Sequence, residues 1–410
     1  MKTNPQRTQS KLHRTLVEAI ITALHQIFNQ HQYADKVIES VLRSNPKWGA
    51  RDRGFIAENT YDIVRWFRLV AFMAESPTEH IHKGNLWQIV GTWLQDKGAE
   101  VPAWPEFKNI NPRHIFYRYN LAKNDPAVFQ SVPDWLQQMA TEQLGELWPL
   151  EIEALNKTAP LVVRANTLKT TAAKLKDLLA ETEMTASVVE GYPDALIIKK
   201  RSKLFSNPHF QGGLFEVQDG SSQKVAAFLN PQPGSVVVDA CAGAGGKTLH
   251  LAALMENKGR IISMDTEAWK LEELKKRARR AGAQNIETQL ISEENLNKLQ
   301  DKADYLLLDV PCSGLGVLRR NPDAKWKLKP EFIENIRKTQ QHIIATYSKM
   351  VKPGGKMVYA TCSILPSENQ DQVAEFLKAN EDFKLVNQES VFSHQSGFDG
   401  FYMALMEREG

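Results

Sequence analysis

The feature of this sequence that most restricts its fold is a series of short apolar segments after residue 235 that alternate with helical ones. The segments are SVVVDA, GRIISMD, IETQLI, DYLLLDV and GKMVYAT, and GFYMALMER near the end has the pattern of one more strand. Nearly continuous apolar strands that alternate with helices are typical of a parallel sheet covered on both faces. We therefore predict an α/β fold for residues 231–410.

Two further regions precede this predicted sheet. Residues 1–125 are predicted to be helical, because ARDRGFIAENTYDIVRWFRLVAFMAE places its apolar side chains at helical spacing. Residues 126–230 contain the strand-like segments PLVVRANTL, ALIIKK and LFEVQDG around the helical TAAKLKDLLAE. NPQPGS, at 230–235, has the composition of a linker. The sequence thus predicts domains at 1–125, 126–230 and 231–410.

Composition excludes several classes of protein. No uncharged apolar run reaches roughly 18 residues, so no membrane helix is predicted, and the N-terminal segment has the pattern of an amphipathic helix rather than a signal peptide. The three cysteines include no C-x-x-C pair, so neither a disulfide framework nor a metal site is predicted. We expect a cytoplasmic protein. The net charge of +3 indicates no nucleic-acid partner by itself, so such a signal must come from local patches.

The three cysteines share one kind of position. Cys241 follows VVVDA, Cys312 follows YLLLDVP and Cys362 follows MVYAT. Each therefore lies at or just beyond the carboxyl end of a predicted strand, the edge at which open α/β sheets bind ligands. A single cysteine in such a place is more often a small buried apolar residue. Three at one sheet edge, with none elsewhere, favour a functional crevice.

The glycine-rich segment CAGAGGKT lies between the first strand of this sheet and a helix. Cys241 stands where a phosphate-binding P-loop requires its first glycine, so the segment does not match that motif. A glycine-rich turn still lets a ligand approach the backbone and the amides of a helix N-terminus. Asp265 ends the next strand, where a carboxylate can bind ribose hydroxyls. The pattern predicts an adenosine-containing cofactor and leaves NAD, ATP and S-adenosylmethionine open.

The segment DVPCSGLGVLRRNPDAKWKLKP is rich in cations. Cations bind phosphates, and an aromatic ring or a guanidinium plane can stack on a base. A solvated basic loop is the alternative interpretation. The residues predicted to bind RNA are Arg319, Arg320, Lys325, Trp326 and Lys327.

Three of these motifs carry a resemblance to a known family. DACAGAGGKT, DVPCSG with GVLRRNPDAKW, and YATCSILPSEN follow one another in the order seen in the Nop/Sun family of RNA cytosine-5 methyltransferases. The resemblance is strong from about residue 215 to 410. Residues 1–125 resemble the NusB-like RNA-binding domain found in this family, and residues 126–230 resemble its small RRM-like subdomain. The implied fold is a Rossmann-like methyltransferase domain that follows these two.

The resemblance also implies roles for single residues. Cys362 matches the nucleophile and Cys312 the second cysteine, which helps release the product. Asp265 matches the ribose-binding acid and Asp309 the acid between cofactor and target base. The residues that match the S-adenosyl-L-methionine loop are Cys241, Ala242, Gly243, Ala244, Gly245, Gly246 and Lys247.

The loop departs from the family pattern at two positions. Gly243 and Ala244 stand where the family usually has Ala-Pro, which predicts a more flexible loop. The family also tends to have an acid after the third strand, and either Ser292 or Glu293 can take that place here.

The predicted function is methyl transfer from S-adenosyl-L-methionine to carbon 5 of an RNA cytosine through a cysteine–base adduct. The implied partner is RNA, with small-subunit rRNA the expected substrate, and we expect a monomer without metal or membrane partners. Two alternatives stay open. The altered loop is consistent with a non-catalytic RNA-binding assembly factor. The segments GGKT and YLLLD are consistent with an NTPase, although Cys241 argues against that function.

Overall fold

A computed structural model describes residues 12–199 and 204–410 of the chain. The start of the predicted N-terminal helix and the end of the ALIIKK strand lie outside these residues. The first of two compact units ends at Asn156 and also includes Arg320–Lys329, and the second comprises Lys157–Arg319 and Pro330–Gly410. Along the described part of the chain, no helix combines the length and the apolar composition that crossing a bilayer requires.

The first unit is helical, as predicted. In its first helix Ile20, Leu24 and Ile27 recur every three or four residues and are buried, so this helix turns one apolar face to the core. The helical unit continues past the predicted boundary at residue 125, because three more helices pack within it. Its helices are α1 (Arg14–Asn29), α2 (Ala34–Ser44), α3 (Ala50–Arg65), α4 (Phe67–Met73), α5 (Lys83–Asp96), α6 (Pro112–Ala122), α7 (Pro126–Phe129), α8 (Asp134–Leu144), α9 (Leu147–Leu155) and α16 (Ala324–Lys327).

Lys325, on α16, is buried inside this helical unit, with only 1% of its surface exposed. Its Nζ donates to the carbonyl of Arg65 at 2.7 Å and to Oδ1 of Asn156 at 3.1 Å. Burial, and after it the charge of Arg65, holds the pKa of Lys325 well below its usual range. The side chain thus fastens residues 320–329 to the helices, and the predicted RNA contact has no exposed ammonium at this position.

Trp326 has partners of the same kind. Its indole nitrogen donates to the carbonyl of Val64 at 2.7 Å, and its ring meets the ring of Phe67 edge to face at 5.8 Å. An indole with its polar end bonded and its body against another ring is typical of a packing residue. Lys327 is partly exposed and pairs with Asp323 at 2.5 Å. Two residues of the basic segment that are predicted to contact RNA, Lys325 and Trp326, therefore pack within the protein.

The second unit begins with a small antiparallel sheet. Its strands lie in the order β2-β3-β1-β4, and the chain order strand, helix, strand, strand, helix, strand is that of a ferredoxin-like fold. Asn166, after the first strand, donates to the carbonyl of Ala281, and Lys169 to the carbonyl of Arg280, at 2.7 Å each. The elements are β1 (Leu161–Ala165), α10 (Ala172–Glu181), β2 (Ala186–Val189), β3 (Tyr192–Ile198), α11 (Pro208–Gln211), β4 (Phe215–Val217) and α12 (Gly220–Leu229).

The larger sheet has the order β10-β11-β9-β8-β5-β6-β7. Strands β9, β8, β5, β6 and β7 pair in parallel, and β10 and β11 add antiparallel pairs at one side. The predicted α/β fold is thereby confirmed. The elements are β5 (Val236–Asp239), α13 (Gly246–Leu254), β6 (Arg260–Asp265), α14 (Ala268–Ala281), β7 (Ile286–Leu290), α15 (Glu293–Lys298), β8 (Ala303–Asp309), α17 (Pro330–Tyr347), β9 (Val351–Thr361), α18 (Gln370–Ala379), β10 (Phe383–Val391), α19 (Ser393–Ser396) and β11 (Phe401–Arg408).

The edge strand and the strand order of this sheet are both informative. Strand β10 was not predicted, because it lies at the edge and most of its side chains are exposed, so FKLVNQESV has no apolar run. The chain leaves β5 toward β6 on one side, and β8 and β9 lie on its other side. The strand order thus reverses beside β5, and a crevice at the carboxyl ends of β5 and β8 is the expected ligand site.

We predict that Trp326→Ala lowers the free energy of unfolding by about 3 kcal/mol, because it removes a ring packed against Phe67 and leaves the carbonyl of Val64 without its donor. Urea unfolding measures the change. Lys329→Ala, an exposed position in the same segment, is the control and should shift stability by less than about 0.5 kcal/mol. Equal stability of the two variants would contradict this packing.

Candidate active site

Two cysteines from neighbouring strands meet at the carboxyl edge of the larger sheet. Strands β8 and β9 pair in parallel with Asp309 opposite Ala360, so the residues that follow both strands leave the sheet side by side. Cys312 and Cys362 lie in these exits, and their Sγ atoms are 3.3 Å apart. Both thiols are free and partly exposed. The structure therefore brings together the two side chains predicted to be catalytic.

The two thiols differ in their environment. The hydrogen bond with Cys362, and after it burial, raises the pKa of Cys312 well above its usual range, and negative charge on Cys362 and Glu368 adds to the effect. Cys312 therefore keeps its proton. As a protonated thiol it can donate a hydrogen bond to the sulfur of Cys362.

Lys247 and Asp309 form an ion pair beside these thiols. The Lys247 Nζ lies 2.5 Å from Oδ2 of Asp309 and 5.3 Å from the ring centre of Phe401. Burial lowers the pKa of Lys247, but the charge and hydrogen bond of Asp309 outweigh it, and negative charge on Cys362 adds to them, so the pKa rises overall. The lysine is thus a fixed positive charge within electrostatic reach of Cys362.

The glycine-rich loop connects β5 to α13 and depends on two left-handed residues. Gly243 has φ +54° and Gly245, which precedes the first residue of α13, has φ +88°. A Cβ on Gly245 would lie 2.6 Å from Cγ of Leu274, whereas a Cβ on Gly243 would meet nothing within 4 Å. Gly245 is therefore required by conformation and by space, and Gly243 by conformation alone.

Asp265 ends β6 and forms a hydrogen bond with the backbone of this loop. Its Oδ2 accepts from the backbone N–H of Gly243 at 2.9 Å, and its Oδ1 accepts from that of Glu267 at 2.9 Å. The Nζ of Lys270 lies 3.3 Å from Oδ1. The predicted ribose-binding acid thus lies next to the predicted cofactor loop.

The candidates for an acid after the third strand have ordinary structural positions. Ser292 caps α15 by accepting from the N–H of Asn295 at 3.2 Å, and Glu293 is exposed in the first turn of that helix. The choice between them stays open.

Cys241, the third cysteine, opens the loop and is partly exposed. Burial, and after it the negative charges of Asp239, Asp309 and Asp265, raises the pKa of its thiol well above the usual range. Burial also raises the pKa of Asp239 to about 7, although Thr248 donates to its carboxylate at 2.7 Å. Surrounded by carboxyl groups, Cys241 stays a neutral thiol, which fits a place in the loop better than a nucleophilic role.

Sequence reasoning missed the residues that bind the loop's carbonyls. Arg277, on α14, donates to the carbonyl of Ala244 at 2.8 Å and is itself held by Glu216 of β4 at 3.0 Å. Arg164 of β1 donates to the carbonyl of Gly246 at 2.9 Å. These bonds oppose the flexibility that the sequence predicts for the loop. No motif identifies them, because Arg277 lies in a basic helix that has the pattern of a solvated face.

Sequence reasoning also missed Glu368, which lies between the two cysteine turns. It is fully buried, and its carboxylate accepts from Ser313 and Ser363, the residues after Cys312 and Cys362. A signal was present, since the dipeptide Cys-Ser occurs at both strand exits and Glu368 follows the second one closely.

Arg319 is a further predicted RNA-binding residue with internal partners. It is 8% exposed, and its guanidinium donates to the carbonyls of Thr158 at 3.1 Å, of Lys157 at 3.4 Å and of Gly397. It therefore ties together separate parts of the second unit. Arg320 is partly exposed, and its RNA contact stays a prediction. Within the described residues, no group of three His, Cys, Asp or Glu side chains is placed to hold a metal ion.

Comparisons with known proteins give a consistent relationship. The family model "16S rRNA methyltransferase RsmB/F" matches residues 226–407, and "Methyltr_RsmF/B-like, ferredoxin-like domain" matches residues 132–204. The probable ribosomal RNA small subunit methyltransferase B of Synechocystis is 34% identical over 398 residues, which cover 88% of this chain and 88% of that protein.

Solved structures resemble the chain as well. The crystal structure of PH0851 covers 98% of this chain and 100% of its own, with a TM-score of 0.81 and 23% identity, and so supports the fold alone. A methyltransferase homolog protein from Pyrococcus horikoshii is 26% identical, has a TM-score of 0.62, and covers 69% of this chain and 98% of its own.

We predict that Gly245→Ala destabilises the protein by about 3 kcal/mol, because the new methyl group adds an overlap with Leu274 to the strain of a left-handed backbone. Gly243→Ala is the matched control, since it carries the strain without the overlap, and should cost about 1 kcal/mol. Urea unfolding of both variants measures the difference. A Gly245 variant as stable as the Gly243 variant would refute this account of the loop.

Proposed function

The chain belongs to the RsmB/F family of 16S rRNA methyltransferases, and on that premise we propose that it methylates carbon 5 of a cytosine in small-subunit rRNA with S-adenosyl-L-methionine as methyl donor. The observation that carries this proposal is the 3.3 Å contact between the sulfur atoms of Cys312 and Cys362. One thiol to attack the base and a second to assist its release are what this chemistry needs.

Cys362 is the proposed nucleophile. Carbon 5 of cytosine is a weak nucleophile within an aromatic ring, and addition of a thiolate to carbon 6 makes carbon 5 resemble that of an enamine. The ammonium of Lys247 lies within electrostatic reach of this sulfur and places a positive charge near the attacking group. This charge distribution supports Cys362 as the attacking group.

Cys312 is the proposed base for the release step. Its pKa is raised first by the hydrogen bond with Cys362, and the charge of Cys362 adds to that. Both effects weaken when the Cys362 sulfur bonds to carbon 6, so Cys312 then loses its proton to solvent more easily. The Cys312 thiolate can take the proton of carbon 5, the carbon–sulfur bond breaks, and its electron pair returns to Cys362. One proton is released overall for each methyl group transferred.

The residues of the loop fit the methyl donor. A Cβ on Gly243 or Gly246 would meet nothing within 4 Å, so open space adjoins the loop backbone where a ligand can approach. The hydrogen bonds that Asp265 makes to the loop leave its carboxylate capacity to accept from a ribose hydroxyl. We assign the donor to the loop Cys241–Lys247 and to Asp265. When bound, it supplies a methyl group on a positively charged sulfur.

The target base must reach the two sulfur atoms outside a helical stack. Thiol addition to carbon 6 needs access to the face of the ring, so the proposed substrate is an unpaired or unfolded stretch of rRNA. Asp309 ends β8 three residues before Cys312, and we assign its carboxylate to accepting a hydrogen bond from the amino group on carbon 4 of the base, beside nitrogen 3.

We predict that Cys362→Ala lowers the rate of methyl transfer to small-subunit rRNA roughly a thousandfold or more, because no adduct can form. Incorporation of labelled methyl groups measures the rate, and mapping of 5-methylcytosine in the rRNA identifies the product. Glu375→Gln, at an exposed position on α18, serves as the control with normal activity. Calorimetry should give the same affinity for the methyl donor in the wild-type and Cys362 proteins. Normal turnover by the Cys362 variant would exclude it as the nucleophile.

We predict that Cys312→Ala accumulates a covalent protein–RNA adduct, because methylation proceeds and the release step fails. The adduct is measured as a slowly migrating, labelled band on a denaturing gel. The double variant Cys312→Ala/Cys362→Ala is the control and should form none. If the single variant, folded and supplied with methyl donor and rRNA, forms no adduct, the release role of Cys312 is wrong.

A further inference from the structure

A single buried carboxylate joins the two turns that carry the thiols. We propose that Glu368 is a positioning residue that ties the Cys312–Ser313 turn to the Cys362–Ser363 turn and so sets the separation and the relative reactivity of the two sulfur atoms. This inference rests on the proposed function, since it concerns the same site.

The hydrogen bonds of Glu368 reach both turns at once. Its Oε1 accepts from the hydroxyl of Ser313 at 2.5 Å and from the hydroxyl of Ser363 at 2.6 Å. Its Oε2 accepts from the backbone N–H of Ser313 at 2.8 Å and from the side-chain amide of Gln340 at 3.1 Å. The oxygen atoms of the two serine hydroxyls, which both donate to Oε1, lie 3.2 Å apart. One carboxylate thus fixes the residue next to each cysteine.

Glu368 is itself held firmly. Its backbone carbonyl accepts from the hydroxyl of Tyr359, on β9, at 2.7 Å. Its neighbour Asn369 accepts from the Thr361 hydroxyl at 2.5 Å and donates to the carbonyl of Ser363 at 3.0 Å. Residues on both sides of Cys362 are therefore bonded to the segment that carries Glu368. Movement of this segment would move the sulfur with it.

The backbone of the second turn also bonds directly to that of the first. The N–H of Gly316 donates to the carbonyl of Cys362 at 2.9 Å, and a Cβ at Gly316 would come within 2.8 Å of that oxygen. The turns are thus joined by this backbone bond, by the shared carboxylate, and by the contacts between the two serine hydroxyls and between the two sulfurs. The backbone contact fixes their approach, and the carboxylate fixes the serines that adjoin the sulfurs.

The burial of Glu368 bears on why a carboxylate, and not a neutral side chain, occupies this position. Glu368 has no exposed surface, and the serine and glutamine groups that donate to it are uncharged. A buried charge held only by neutral donors costs stability that a neutral side chain would not. A packing role alone would therefore favour a neutral residue. The charge also reaches the site: the hydrogen bond with Cys362 and burial raise the pKa of Cys312 most, and the charge of Glu368 adds to them.

The substitution Glu368→Gln tests both parts of the proposal. It keeps the size of the side chain and removes its charge. It also replaces one acceptor oxygen by an NH₂ group, which cannot accept from the donors around it. The whole protein, without RNA or methyl donor, is treated with iodoacetamide over roughly pH 6 to 10, and alkylation of each cysteine is followed by peptide mass spectrometry. Thiolates react and thiols do not, so the profile measures the protonation of each sulfur.

In the wild-type protein we expect Cys362 to react much faster than Cys312. In the Glu368→Gln variant, the ratio of the two rates should fall roughly tenfold, and alkylation of Cys312 should begin at a lower pH within the measured range. Glu375→Gln, the same change at an exposed position on α18, is the matched control and should leave both profiles unchanged. Because the assay needs no substrate, its result does not depend on the reaction being assigned correctly.

The proposal is overturned if a folded Glu368→Gln protein gives the wild-type ratio and the wild-type profile for Cys312. If that variant does not fold, Ser363→Ala decides the matter, since it removes a single donor to Oε1 and keeps the charge. It should lower the selectivity for Cys362 severalfold, with the pH profile of Cys312 nearly retained, and unchanged selectivity would reject the tie between the turns.

Discussion

The active-site geometry depends on the parallel pairing of β8 with β9. This pairing puts Asp309 opposite Ala360, so the chain leaves both strands at one edge and both turns begin at the same depth. A slip by one residue would turn every side chain of the slipped strand to the other face of the sheet. The contact between the two sulfurs, the ion pair of Lys247 with Asp309, and the carboxylate between the serines all depend on that register.

The same register explains why much of the site could be predicted from sequence. Each predicted strand is an apolar run with a clear end, and parallel strands bring their ends to a common edge, so three cysteines at strand exits point to one crevice. The structure places Cys312 against Cys362 and Asp265 against the glycine loop, as that reasoning requires. Cys241 differs from the other two cysteines, because its neighbours are carboxyl groups. Which acids surround a residue depends on the strand order of the sheet.

The parts that sequence did not predict depend on partners distant along the chain. Lys325 and Trp326 look like exposed RNA contacts, but their partners Arg65 and Val64 lie some 260 residues earlier. Strand β10 has no apolar run because it lies at an edge. Glu368 is polar in a polar loop, and only the folded chain shows that Ser313 is its partner. Local patterns predict elements, whereas the roles of buried polar side chains depend on tertiary contacts.

The bonds between the small sheet and the glycine loop bear on how the protein can be divided. Glu216 holds Arg277, which holds the carbonyl of Ala244, and Asn166 binds the carbonyl of Ala281 at the end of α14. A fragment that began at the first strand of the larger sheet would lose Glu216 and Asn166 and leave those groups to water. A fragment that is to keep the loop in shape must therefore include both sheets and begin upstream of β1.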